Sequence, residues 1–381
     1  MASTMPPPPS GQRFLALDVL RGMTICFMIV VNTPGNGHYS YAPLEHSPWN
    51  GFTLTDLVFP SFLFVVGNAM SFVMPKWEGL SQSQVLLKII RRTFLIFLLG
   101  YLMYWFPFFR EDATGHWAFK PFSHTRVFGV LQRIALCYGI GSLMIYYLKP
   151  RASAILAVVI LLLYWPILTM FGDGADPLSL TGNAVLKLDK WLLGDNHLYH
   201  GEGIAFDPEG LLSTLPAIAN VIGGYLVGSY VQKKGKTYEG LTLLLLAGFG
   251  LLSAGYLWDL GFPINKKIWT SSFVVYTLGL DCVLLAFLIY VVDFRKSIGW
   301  TRFFAVFGKN PLFIYLLSEL GAETIYIVHT GAGVPWHVWA YDHIFRHLGL
   351  SFGSMMFSVS FMLLCWLVGL WLDKRKIYVR V

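Results

Sequence analysis

The chain has 381 residues, of which 55% are hydrophobic, 16% aromatic and only 13% charged, with a mean hydropathy of +0.58. Water-soluble domains carry about 25% charged side chains, so this composition excludes an ordinary soluble globule and, equally, a disordered chain. The formal net charge of +7 then belongs to Lys- and Arg-rich cytoplasmic loops rather than to a nucleic-acid surface, and no nucleic-acid partner is expected.

Residues 1–12, with four consecutive prolines from Pro6 to Pro9, read as a disordered N-terminal tail. The rest, residues 13–381, reads as one all-α, polytopic membrane domain. Apolar stretches of about 20 residues, the length that crosses a bilayer, recur at roughly 14–34, 52–74, 86–107, 127–148, 152–171, 211–232, 239–260, 268–292, 303–321 and 351–372, which predicts about ten transmembrane helices. The first of them contains Asp18 and Arg21 and is expected to stay in the membrane rather than be cleaved. Residues 322–350 carry His329, Trp336, His337, Tyr341, His343 and His347 and read as a loop with an interfacial helix. Of the 28 Lys and Arg residues, 18 fall on the side of the N-terminus, 8 on the other, and two, Arg133 and Lys309, inside predicted spans. This asymmetry predicts both termini in the cytoplasm. The long connection 173–210 then faces outward, and a loop of that length in a compact protein is more often functional than idle. Cys26, Cys137, Cys282 and Cys365 each lie in an apolar run and read as buried free thiols. No metal-ligand spacing is present, so no metal is expected.

Polar groups are concentrated where a membrane makes them expensive. Arg21 sits three residues after Asp18 on one helix face, a local ion pair or a cation at a cytoplasmic mouth. Asn32 marks the outer end of the first span. The run from His46 to Pro60, HSPWNGFTLTDLVFP, places His46, Trp49 and Asn50 just outside the second span and Asp56 just within it. A carboxylate that orients an imidazole makes a general base. Gln132 and Arg133 lie in the fourth predicted span, and Lys309 and Asn310 in the ninth. These cations call for partners, with Asp18, Asp56, Glu319 and Asp281 as candidates, or for a polyanionic ligand. On physics alone, a secondary transporter for an amino sugar suits such spans as well.

The segments LDVLRGMTI (17–25), VNTPG (31–35), EHSPWNGFTLTDLVFPSFLFVVGNAM (45–70), GVLQRI (129–134), LLGDNHLYH (192–200), FDPEG (206–210), FPINKKIWTSSFV (262–274) and GKNPL (308–312) together resemble the heparan-alpha-glucosaminide N-acetyltransferase family and its bacterial relatives. The resemblance implies transfer of an acetyl group from acetyl-CoA, a co-substrate reached from the cytoplasm, to the amine of a glucosamine on the far side of a membrane. It places the family's active histidine at His46, its essential asparagine at Asn32 and its conserved acid at Asp56. The cofactor-binding expectation is Arg21, Gln132, Arg133, Lys309 and Asn310. The substrate-binding expectation is Trp49, Asn50, Asp195, His197, Asp207 and Trp269. The resemblance is compatible with a homodimer, and the closest kind of relative suggests a bacterial inner membrane. An O-acyltransferase of envelope glycans is the remaining alternative.

Overall fold

The structure, a computed structural model, describes residues 14–111 and 116–379. The predicted tail 1–12 lies outside the described residues. The fold is helical: α1 (Leu15–Asn32), α2 (Leu54–Val73), α3 (Gln82–Trp105), α4 (Val130–Phe171), α5 (Ala184–Leu193), α6 (Leu211–Lys234), α7 (Tyr238–Asp259), α8 (Ser271–Leu288), α9 (Thr301–Lys309), α10 (Pro311–Ile327), α11 (Trp336–Ala340) and α12 (Leu350–Lys374). The described strands form one antiparallel pair, β1 (Phe109–Glu111) and β2 (Trp117–Phe119).

Among the described residues, seven helices are long and apolar enough to cross a membrane, or eight if the bent pair α9 and α10 is one span. The chain is therefore an integral membrane protein. The difference from ten predicted spans has two physical sources. First, α4 runs through two predicted spans as one 42-residue element, broken at Lys149, which holds φ +65 just before Pro150. Arg133 on its first arm stacks on Trp269, and Tyr164 on its second donates to the neighbouring Ile268 carbonyl at 2.7 Å, so both arms return to the same end of the molecule. Second, α3 carries Lys88, Arg91 and Arg92 in its first half, which lowers its apolar character below that of the seven. The α9–α10 pair bends by 86° at Asn310 and Pro311, because proline cannot continue the α9 hydrogen-bond ladder.

Helices α2 and α6 cross closely in the core. A Cβ added at Gly67 would meet the Val221 carbonyl, and one added at Gly224 would meet the Phe64 carbonyl. Small residues at such crossings let backbones approach where no hydrophobic force between helices is available. This contact, with α1 beside α2 and α8 against both α2 and α6, fixes the C-terminal end of α1 and the N-terminal end of α2 relative to the loop before α8.

Candidate active site

The site begins as a helix cap. Thr53 and Asp56 form a capping box at the start of α2, and Asp56 Oδ2 accepts the backbone N–H of Thr53 at 3.1 Å and of Ser47 at 3.1 Å. Such reciprocal capping satisfies donors that a helix end leaves open. It also binds the preceding loop to the carboxylate. The other oxygen, Oδ1, lies 2.8 Å from His46 Nδ1. Asp56 is 1% exposed and His46 is 49% exposed, so a buried carboxylate orients an accessible ring. With Nδ1–H donated to the carboxylate, Nε2 carries the lone pair.

A second loop crosses over the first. Ile264 accepts the Gly51 N–H at 2.8 Å, and Asn265 Nδ2 donates to Asn50 Oδ1 at 3.0 Å. Asn265 also accepts Ile268 N–H, closing a tight turn through Lys266 and Lys267. Trp269 leaves this turn at φ +51, a conformation that bulky residues rarely adopt. It is held there by an indole N–H to Asn220 Oδ1 at 3.1 Å, by Arg133 stacked at 4.8 Å, and by the edges of Phe59 and Phe273. The turn aims Lys267 at Glu202 and Lys266 at the dyad, with Nζ at 3.0 Å from His46 Nδ1, 3.4 Å from Nε2 and 3.5 Å from Asp56 Oδ1. Burial pulls the Lys266 ammonium below its ordinary value, against the opposing pull of Asp56 and Glu209.

His46 and Lys266 open onto a cavity of about 110 Å³, with Asn32, Thr55, Glu209 and Tyr315 also on its wall. Asn32 donates to Glu319 Oε1 at 3.0 Å across the α1–α10 contact. A second cavity of about 790 Å³ lies toward the opposite ends of α1 and α2, walled by Asp18, Arg21, Lys76, Arg92, Lys309 and Tyr378 among others. The two cavities share Phe62 and Ile134. Arg21 and Asn32 are separated on α1 by roughly 16 Å of helical rise.

Of the residues singled out in the sequence, Asn32, His46 and Asp56 come together, the last through His46. Arg21 donates to the Gly308 carbonyl at 3.1 Å and faces the large cavity. Lys309 faces it too but is bound to Asp373 at 2.7 Å, and Asn310 brackets the C-terminal segment, donating to Ile377 O at 2.9 Å and accepting from Val379 N at 2.8 Å. Gln132 and Arg133 are fully buried, and neither lines either of these cavities. Arg133 donates to the Pro208 and Gly210 carbonyls and to Ser213, so main-chain oxygens rather than a carboxylate hold it. Asp281 meets Ser61 and not one of the intramembrane cations. Trp49 donates to the Leu178 carbonyl and packs on Phe206, which docks the 173–210 segment onto the His46 loop. Asp195 pairs with Lys190 at 3.3 Å on the surface, and His197 Nδ1 lies 2.8 Å from the Thr125 carbonyl. Trp269 is 1% exposed, a packing element beneath the site.

Asp207 is the centre of a buried network. Arg126 donates to both of its oxygens, at 2.8 and 2.6 Å, and to Glu209 at 2.5 Å, with the guanidinium over Tyr104 and Tyr199. Burial alone would pull the Arg126 guanidinium down, yet its partners hold it well above its ordinary value. Burial pushes Glu209 up, but the Arg126, Arg133 and Lys266 charges outweigh it and keep the carboxyl below the usual range.

Asp189, on α5 beneath this network, accepts Leu211 N–H at 3.0 Å while its Oδ2 has no hydrogen-bond partner. Burial raises it to about 7 against the opposing Leu211 bond. A carboxyl raised on folding leaves stability intact below its unfolded value and erodes it as pH rises through the folded one. Asp189→Asn, which retains the acceptor for Leu211, is therefore expected to raise the thermal midpoint in detergent by a few degrees at pH 8 and by nothing at pH 4. Equal gains at both pH values would contradict the burial of an ionising group.

Lys266, Glu209, Glu319, Tyr315 and Arg126 carry no distinguishing local pattern. Lys266 and Glu209 lie inside the segments FPINKKIWTSSFV and FDPEG, which is the only signal the sequence holds for them.

The fold and site thus define a polytopic helical membrane protein with a carboxylate-oriented histidine on one of two cavities that share Phe62 and Ile134 as wall residues. A family model described as heparan-alpha-glucosaminide N-acetyltransferase, catalytic, matches residues 13–187. The chain is 29% identical over 368 residues to heparan-alpha-glucosaminide N-acetyltransferase of Mus musculus, covering 82% of this chain and 54% of that protein. It is 28% identical over 378 residues to the Homo sapiens protein of the same name, covering 84% and 54%. The chain is similar to this family over residues 13–187 and to these two relatives over most of its own length, and it spans about half the length of the curated relatives it matches.

Proposed function

We propose that the chain moves an acetyl group from cytoplasmic acetyl-CoA to the amine of glucosamine, or of a glucosamine-terminated saccharide, on the outer side of a bacterial inner membrane. The observation that carries this reading is the pair of cavities. A small one holds the His46–Asp56 dyad, and a large cation-walled one lies behind it at the opposite ends of α1 and α2, with Phe62 and Ile134 between. The Lys and Arg asymmetry supports cytoplasmic termini, which puts the large cavity on the cytoplasmic side.

Coenzyme A is a polyanion with a long thiol-bearing arm. Arg21, Lys76 and Arg92 would meet its phosphates, and a buried Nε of Arg92 without a hydrogen-bond partner suits that task. The arm would pass Phe62 and Ile134 and bring the thioester beside His46, so the nucleotide need not cross the bilayer. The acceptor enters from the side of the 173–210 segment. His46 Nε2 takes the proton from the amine during attack, and Asp56 holds the ring in the tautomer that leaves Nε2 open. Direct transfer needs no covalent intermediate on the ring.

The test uses purified protein in detergent with acetyl-CoA and glucosamine, following thiol release and identifying the product by mass. Thiol release coupled to N-acetylglucosamine is the expected result. A transporter would leave the thioester intact, and an O-acyltransferase would yield an ester rather than an amide. A second variant tests the route: Phe62→Trp is expected to raise KM for acetyl-CoA about tenfold, equivalent to roughly 1.4 kcal/mol of binding, with little change in KM for glucosamine. The reverse pattern would sink the route between the cavities.

A further inference from the structure

We propose that Lys266 is a catalytic residue whose ammonium stabilises the oxyanion formed during acetyl transfer. This rests on the acetyltransferase reading above and deepens it.

Four cations are buried or half-buried around the His46 end of the molecule. Arg126 is bound to Asp207 and Glu209 and Lys267 to Glu202, while Arg133 is bonded through Nη2 alone to the Pro208 and Gly210 carbonyls and Ser213 and lines neither cavity. Lys266 differs from the other three in lining the cavity that His46 lines. It approaches Asp56 Oδ1 at 3.5 Å and His46 Nε2 at 3.4 Å, and the 3.0 Å approach to Nδ1 uses no donor because Nδ1–H is given to Asp56. An ammonium has three donors, so one remains for the cavity. Its side chain is 15% exposed, where a charge acts with less screening than in water. The Asn265 turn and the contact of Asn265 with Asn50 hold it in place before substrate arrives, as electrostatic catalysis requires. The neutral donors on that wall are Asn32, which already donates to Glu319, Thr55, which donates to the Pro43 carbonyl, and the Tyr315 hydroxyl. Lys266 alone among these brings a positive charge.

The step balances as follows. The amine nitrogen attacks the thioester carbon, forming the C–N bond, and the carbonyl electron pair moves to oxygen. His46 Nε2 takes the proton released by nitrogen. The carbonyl re-forms, the C–S bond breaks, and the departing thiolate takes that proton from His46. An amine hydrogen-bonded to Nε2 sits about 3 Å from it. Nζ lies 3.4 Å from Nε2 on the same cavity wall, on the scale of the roughly 2.7–3.1 Å reach an oxyanion donor needs.

The experiment compares wild type with Lys266→Met, Lys266→Arg and Lys266→Cys in the full chain, in detergent, with acetyl-CoA and glucosamine. The methionine variant is expected to lose about 10²–10³-fold in kcat with KM for acetyl-CoA unchanged, and the arginine variant to recover part of the loss. The cysteine variant is expected to be equally impaired, to regain turnover when alkylated with 2-bromoethylamine, which rebuilds an ammonium, and not to regain it with neutral iodoacetamide. Methionine kcat within threefold of wild type overturns the proposal. So does a cysteine variant whose aminoethylation, verified by mass, restores nothing. Wild type that forms no acetylated amine overturns the acetyltransferase reading and this one together, whereas acetylation insensitive to Lys266 overturns this one alone.

Discussion

His46→Ala is expected to lower kcat by about 10³-fold, the contribution a positioned general base makes, while the protein remains folded, because the ring is half exposed. Asp56→Asn is expected to cost about 10²-fold or more. The reason lies in the cap. Oδ2 accepts from Ser47 N, Thr53 N and Thr53 Oγ1, so an asparagine would keep its oxygen there and turn its NH₂ toward His46. Nδ1 would then have to accept, and the proton would sit on Nε2, the wrong tautomer for a base, as in serine-protease triads with the same change. Thiol release and product mass in detergent check both. Acetylation retained in His46→Ala would leave the family assignment intact and remove the base assignment.

The second large effect is on stability. Arg126→Met is expected to destabilise the protein by about 3–5 kcal/mol, because it leaves two buried carboxylates without their cation. Arg126→Lys is expected to fall between, since a single ammonium cannot span Asp207 and Glu209 as the planar guanidinium does. Thermal unfolding in detergent reads both. Asp195→Ala, which removes an exposed ion pair with Lys190, provides the contrast and is expected to change stability by about 0–1 kcal/mol. Comparable losses at the two sites would show that the network is no more than surface pairing. Because Glu209 lines the His46 cavity, Arg126→Met is also expected to reduce turnover in whatever fraction stays folded.

Segments with one local cause were legible in the sequence. The apolar runs of α1, α2, α6, α7, α8 and α12 needed only length and composition, since a helix that crosses a bilayer satisfies its own backbone. The His46–Asp56 relation was suggested by a dense polar block at the mouth of a span, and the capping box that joins them is itself a four-residue pattern. The break in α4 was less legible: Lys149 and Pro150 mark it, but the return of the second arm beside the first depends on contacts with Trp269 and Ile268, 100 or more residues away.

The sequence by itself determined that this chain is a helical membrane protein, which family motifs it carries, and that His46, Asn32 and Asp56 deserved testing together. Composition and short-range pattern act within a helix or a turn, and these features arise there. The tertiary structure alone decided which cation faces the histidine. Arg133, conspicuous within a span, is buried outside the His46 cavity with Nη2 on the Pro208 and Gly210 carbonyls, and Lys309 is paired with Asp373. Lys266, one of two adjacent lysines in the loop before α8, is brought to His46 across 220 residues by the crossing of two loops. A charge is disposed by the groups that surround it, and in a bundle those groups come from distant parts of the chain.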